Sequence, residues 1–365
     1  MNEYVNKTIN YAFWVKTLTE EAKQFILAGY TKANREELIR VATKKKVLPV
    51  VGKLMMELDI DRDLWEGHYR SFKDRNTRVT ELVADVFAAF QSNGITRICA
   101  FENYGAMLAA GTDIALYSSG DVDLYAEVDQ KEAIIRVMDT FGYKPTMDAI
   151  NKRNIMTEFL KDDGIIHINV AWKPLRRFSL PFKAQTAKYF QWNDMGYYQN
   201  TFIRVPSPET LLYLCFLRIA VHGYSRSPDI RLYIDTFNAS YNQPNWNQVI
   251  EWAKRDGVYT KFATVAAIAH DLIGLDVPNT VLSFAQKDKF TQRILEITYD
   301  FKGHTLKYDP SGVSLLKVEA ASDNRGVIGE VFSMLFPPKE WVKEYYQNEN
   351  ENMMTAYRRY YNRLL

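Results

Sequence analysis

A change of period constrains this chain more than any other feature. Residues 1 to about 93 and residues 206–365 carry apolar side chains at helical spacing, whereas residues 94–205 alternate strand-like and helix-like runs. In that block a short apolar strand, Ile95 to Phe101, follows a helix closed by Asn93-Gly94, since glycine tolerates the left-handed turn beyond a helix end. Glu102 to Tyr117 reads as a helix opening near Tyr104-Gly105-Ala106. Asp121 to Val128 alternates and reads as a strand, and Asp129 stands where it would cap the next helix, which Gly142 stops. Two more strand-like runs, Asn154 to Lys161 and Ile165 to Trp172, are joined by Asp162-Asp163-Gly164, whose Asp-Gly step signals a hairpin. Ser207-Pro208-Glu209 restarts helix, with Ser at the N-cap and Pro in the first turn. The expectation is an α/β (α+β) chain in three regions: an N-terminal helical region 1–93, a small mixed or antiparallel sheet in 94–205, and a larger C-terminal helical region 206–365.

The chain has 365 residues, enough for a sizeable core. Its charges nearly cancel, 46 Lys and Arg against 44 Asp and Glu, which argues against a dedicated nucleic-acid binder. Both cysteines, Cys99 and Cys215, sit in apolar runs, so no disulfide framework or cysteine zinc site is expected. Met1-Asn2-Glu3-Tyr4 lacks the order of a signal peptide and no run approaches a membrane span, so the expected location is cytoplasmic, with no membrane partner. The phosphate-binding P-loop, the dinucleotide fingerprint, the serine nucleophile elbow and the His-Glu-x-x-His zinc motif are all absent.

The segment Gly120-Asp121-Val122-Asp123-Leu124 carries the chemistry. Residues two apart on a strand share a face, so Asp121 and Asp123 present two carboxylates side by side while Val122 and Leu124 point inward. Paired carboxylates suit a hard cation such as Mg²⁺ or Mn²⁺, completed by water and substrate phosphates. A solvated strand start is the plainer reading of Asp-x-Asp alone.

The surrounding order strengthens the metal reading. An apolar strand, a Gly105-Ala106 helix start, an Asp-x-Asp strand, a helix and another strand resemble the nucleotidyltransferase (DNA polymerase beta-like) superfamily. More closely, the chain resembles an uncharacterised bacterial nucleotidyltransferase family, from the helix pair in Leu38 to Leu54 through Pro206 to Gly223, Ile230 to Asp235 and the Leu335-Phe336-Pro337-Pro338 turn. The resemblance implies a nucleoside triphosphate substrate, an unidentified hydroxyl acceptor, and Asp121 and Asp123 as metal ligands. It also implies a third acid on the strand Ile166 to Trp172, where this chain has Asn169. An amide ligates metal through its oxygen but takes no proton, and His167, on the same strand face, is the candidate base beside it. The family's Lys before the glycine and its Arg before the acidic pair are replaced by Tyr104 and by Tyr117-Ser118. Lys173, with Arg176 and Arg177, could compensate, as could neutral donors at Gly105, Ser118, Ser119 and Gly120. His222, before Gly223, has a ligand-facing reading and a structural one at a helix end. Arg231 has a phosphate-facing reading against an ion pair with Asp235 four residues on. Two functional classes follow: a metal-dependent nucleotidyltransferase, or a catalytically weakened relative that binds a nucleotide or phosphorylated ligand as a sensor or partner protein.

Overall fold

A computed structural model describes residues 3–12, 18–145, 156–162, 166–174, 186–225, 229–307, 335–337, 339–346 and 351–364. The architecture is mixed α+β, as expected. Five helices open the chain: α1 (Glu3–Ala12), α2 (Glu20–Gly29), α3 (Lys32–Lys44), α4 (Leu48–Glu57) and α5 (Arg62–Ser92). Threonine hydroxyls cap α2 and α3, Thr19 accepting from Ala22 N–H and Thr31 from Asn34 N–H. The helix that the sequence closes at Asn93-Gly94 is the 31-residue α5, which ends there as expected.

Strand β1 (Ile98–Ala100), helix α6 (Glu102–Ala110), strand β2 (Asp121–Ala126), helix α7 (Lys131–Thr140) and strands β3 (Lys144–Pro145), β4 (Met156–Leu160) and β5 (His167–Ala171) follow. The sheet order is β1-β2-β5-β4-β3, and only the β2–β5 pair is parallel. The antiparallel β4–β5 pairing agrees with the hairpin expectation, although Asp163-Gly164 lie outside the described residues. Asp129 does not cap α7. It sits in a short 3-10 turn and is ion-paired with Arg97, and Gln130 precedes the helix without a side-chain cap. Helix α6 is shorter than the expected Glu102 to Tyr117, because Gly111 closes it in the left-handed conformation.

Helices dominate the remainder: α8 (Pro208–Val221), α9 (Asp229–Ser240), α10 (Trp246–Arg255), α11 (Tyr259–Ile273), α12 (Asn279–Lys287), α13 (Lys289–Thr298), α14 (Lys339–Tyr346) and α15 (Met353–Leu364). Ser207 caps α8 by accepting from Thr210 N–H. The two sheet faces have different cover. Val122, Leu124, Ile168 and Val170 enter a continuous core that also takes in Trp65, Phe90, Phe216 and Phe262. Tyr125, on the opposite face with Asp121 and Asp123, packs beneath Phe190 and Trp192. The acidic pair thus sits at the open end of a face whose other end is sealed by aromatics. Cys99 and Cys215 are buried free thiols, and burial pushes both well above the ordinary thiol range, so they behave as small hydrophobes. Among the described residues no helix is long and apolar enough to cross a membrane.

Candidate active site

The site begins with a register. Parallel pairing sets Asp121 opposite His167 and Asp123 opposite Asn169, so four polar side chains share one face at the start of two adjacent strands. The Asn169 amide nitrogen donates to Asp121 Oδ2 at 3.0 Å and to Asp123 Oδ1 at 3.1 Å. Asp123 is almost fully buried, whereas Asp121 is half-buried and His167 exposed. Ser119 completes the cradle, donating from its hydroxyl to Asp121 Oδ1 at 2.5 Å.

The loop entering β2 is fixed from three directions. Asn76, buried in α5, donates to the carbonyls of Ile114 and Tyr117 at 2.7 and 2.6 Å. The Tyr117 hydroxyl donates to the Asp121 carbonyl, and the Ser118 hydroxyl donates to the carbonyl of Lys46 in the α3–α4 turn. Both serine hydroxyls are therefore engaged inside the protein, while Gly120 is exposed with open space at its Cα. Gly105 has a steric role: a Cβ there would stand 2.7 Å from the Ala100 carbonyl oxygen, so glycine lets α6 pack against the end of β1. Glu102, the first residue of α6, holds a positive φ of 49°, a conformation that costs of order 1–3 kcal/mol in a non-glycine residue.

Cations reach the pair from places distant in sequence. Burial works to raise the Asp121 carboxyl, but the Ser119 hydrogen bond and the charges of Lys46, Arg231 and Arg218 outweigh it and hold it below its ordinary range. Arg218, on α8, pairs with Glu102 at 2.6 Å and lies 4.0 Å from Asp235. Burial opposes its charge, yet Glu102, Asp123 and Asp235 prevail and keep it protonated. Asp235 is pushed up to about 6 by burial, against the opposing charges of Arg231 and Arg218. Arg231 is also buried, and its Nε and Nη1 have no hydrogen-bond partner among the described residues.

Of the residues singled out in the sequence, Asp121, Asp123, Asn169, His167 and Ser119 come together on the sheet, and Arg231 stands near enough to act on Asp121. Lys173 is exposed in the bend that follows β5. His222 is half-buried at the C-cap of α8. Arg176 and Arg177 lie outside the described residues. Sequence reasoning passed over Lys46 and Arg218. The signal for Arg218 was a lone charge in the apolar run Leu211 to Val221, and for Lys46 a lysine run, Lys44-Lys45-Lys46, ending at a helix turn.

A small mixed sheet bearing an Asp-x-Asp strand beside a parallel neighbour, between two helical regions, defines a nucleotidyltransferase-like class. A family profile described as uncharacterised nucleotidyltransferase matches residues 31–274, about two-thirds of the chain, and the chain belongs to that family. No curated protein and no solved structure matches significantly.

Proposed function

We propose that the chain is a metal-dependent nucleotidyltransferase that moves a nucleotidyl group from a nucleoside triphosphate to a hydroxyl acceptor. The observation that carries this reading is the convergence of Asp121 and Asp123 on one point, the Asn169 amide, across the parallel strand pair. The donor set fits a hard cation: two carboxylates, with the amide oxygen of Asn169 available if that side chain turns over. Asp121 and Asp123 would hold Mg²⁺ or Mn²⁺, which supplies charge stabilisation to the phosphates when bound. Lys46 and Arg218, with Arg231, surround the pair with positive charge suited to a triphosphate.

In the reaction the acceptor oxygen forms a bond to the α-phosphorus and the bond from that phosphorus to the bridging oxygen breaks. Pyrophosphate leaves with the electron pair, and the hydroxyl proton passes to His167 or to water. His167 suits that part by position, exposed and in register with Asp121.

A second reading has its own observation. The Asn169 amide nitrogen lies between the carboxylates, where the superfamily's third acid would add negative charge, so the chain would bind a nucleotide or phosphorylated ligand as a sensor and turn it over slowly or not at all. Thermal-shift titration with each of the four nucleoside triphosphates, with and without Mg²⁺ or Mn²⁺, tests the shared claim. A metal-dependent rise in melting temperature in wild type, absent in Asp121→Asn/Asp123→Asn, is expected; at a hundredfold excess over the dissociation constant it amounts to about 2.7 kcal/mol. No shift with any triphosphate contradicts the transferase reading and the nucleotide form of the second, leaving only a non-nucleotide phosphorylated ligand. Pyrophosphate release then separates them, and Asn169→Asp, which restores the third acid, should raise that release if the catalytic reading holds.

A further inference from the structure

A cavity of about 720 Å³ lies beside the acidic pair, walled by α1 and α4 on one side and by α6 and α9 on the other. That volume is within the ~300–1,000 Å³ typical of small-molecule sites. Its lining changes in character along its length. Lys46, Tyr117, Ser118 and Arg231 line the end next to the pair, where the two cations act on Asp121 and the Tyr117 hydroxyl holds its backbone. From there the helices lead away side by side. Arg218 bridges Glu102 of α6 and Asp235 of α9, and seven residues further along each the Asn242 amide, just past α9, donates to the Ala109 carbonyl at 2.7 Å. Beyond the cationic end come Asn103 and the aliphatic Val50, Leu54, Met107 and Ile234, and then a polar end with Thr112, Asn238 and Tyr241. Arg231 and Asn238, seven residues apart on one face of α9, are separated by about 10 Å along the helix axis.

This order, cationic, then mixed, then polar, matches one class of ligand from end to end. A nucleoside triphosphate presents an anionic chain, then a ribose, then a base with apolar faces and a polar edge. A wholly apolar ligand would bury Asn103, Thr112 and Asn238 without hydrogen bonds, and a wholly charged one would lie against aliphatic side chains. Asn103 itself calls for a ligand. It is 2% exposed, its Oδ1 accepts from Tyr104 N–H at 2.8 Å, and its Nδ2 has no hydrogen-bond partner among the described residues. A buried amide donor left idle is costly until an acceptor meets it. Asn103 follows Glu102, and through Arg218 stands level with Asp235, one turn of α9 beyond Arg231. That is where a sugar follows its phosphates.

We propose that this cavity holds the nucleoside of the triphosphate, with a ribose hydroxyl accepting from Asn103 Nδ2, the base between α4 and α9, and the base edge toward Thr112 and Asn238. This placement rests on the reading of the acidic pair as a metal and triphosphate site. It assigns recognition of the nucleoside to helices outside the sheet, the N-terminal α4 among them.

The test is calorimetric titration of the full chain, with Mg²⁺, comparing inorganic tripolyphosphate with each of the four nucleoside triphosphates. At least one nucleoside triphosphate is expected to bind about tenfold or more tighter than tripolyphosphate. That advantage is expected to vanish in Thr112→Trp, which fills the cavity from its half-buried wall, and to shrink in Asn103→Leu, while tripolyphosphate binding stays unchanged. Thr112→Trp carries the test if Asn103→Leu does not fold. The 2′,3′-dideoxy form of the preferred triphosphate should bind wild type more weakly than its parent and Asn103→Leu no more weakly, because the hydroxyl then has no donor to lose. An advantage retained in both folded variants, or tripolyphosphate binding as tight as every nucleoside triphosphate, overturns the proposal and leaves the metal and triphosphate site standing. A dideoxy form that binds wild type as tightly as its parent overturns the ribose contact at Asn103. Binding of neither tripolyphosphate nor any nucleoside triphosphate removes the reading of the acidic pair itself, and the nucleoside's place with it.

Discussion

Two buried acidic regions of this molecule are finished in opposite ways. Asp256, 1% exposed at the end of α10, receives the Tyr189 and Tyr213 hydroxyls on Oδ2 at 2.7 and 2.8 Å and the Lys188 ammonium on Oδ1 at 3.3 Å. Tyr189 and Tyr213 also pack against Trp252, so charge, hydrogen bonds and ring contacts close on one another. Around the acidic pair the network stays open: Asp235 Oδ2, Arg218 Nη1, Arg231 Nε and Nη1, and Asn103 Nδ2 are buried without hydrogen bonds among the described residues. Buried polar groups normally find partners, so a satisfied network reads as scaffold and an open one beside a cavity reads as a place for a ligand.

The largest expected effect breaks the closed network. Asp256→Ala strands two phenols and releases Lys188, and should cost about 4 kcal/mol in urea unfolding while leaving any triphosphate-induced thermal shift in place. A loss of the shift at equal folding would show that the two regions are not separate.

A pH experiment sharpens the contrast next. Asp235 titrates at about 6 in the folded chain and near 3.8 unfolded, so the folded state holds its proton more tightly. Its stabilising contribution is complete below about pH 4 and disappears as pH rises through about 6, a change of about 3 kcal/mol. The stability of Asp235→Asn relative to wild type should rise by about that amount between pH 4 and pH 7, measured by urea midpoints. A flat difference would mean that Asp235 keeps its proton no better folded than unfolded.

The smallest effects separate the two arginines. Arg218→Gln removes the 2.6 Å pair with Glu102, both side chains being mostly buried, and should cost about 3 kcal/mol. Arg231→Gln removes a guanidinium with two idle nitrogens, and with it the largest charge opposing burial at Asp235, so it should cost less than Arg218→Gln and move the loss of the Asp235 contribution above about pH 6. Equal costs for the two would contradict the claim that Arg231 awaits a ligand.

Much of the local architecture was legible in the sequence because it rests on short-range rules. Period two placed Asp121 and Asp123 on one face, Asn93-Gly94 ended α5, and Ser207-Pro208 opened α8. Asp129 misled because an N-cap signal is local, whereas Arg97, 32 residues earlier, claims that carboxylate through the fold. Residues 1–93 read as helical, but that Arg62 to Ser92 form one continuous helix was not evident, because Arg62 to Arg75 is highly charged and carries a weak apolar stripe. At the site, Asn169 was placed by the family resemblance and His167 by sharing its strand face, whereas the parallel register that sets them opposite Asp123 and Asp121 is a long-range feature seen only in the fold. Lys46 and Arg218 were not placed, since a cation 75 residues before Asp121 and another 97 after it approach the pair only through the placement of the α3–α4 turn and of α8. Gly105 was expected to offer a backbone donor to phosphate, whereas in the fold its missing Cβ makes room for the Ala100 carbonyl.

Manganese binding tests the central claim most directly: the open acidic network is a metal and nucleotide site. Mn²⁺ titration followed by electron paramagnetic resonance, with and without a nucleoside triphosphate, should show binding to wild type that tightens when triphosphate is added and is lost in Asp121→Asn/Asp123→Asn. Equal Mn²⁺ binding by wild type and the double variant, or none by a folded wild type in the presence of triphosphate, would contradict the account.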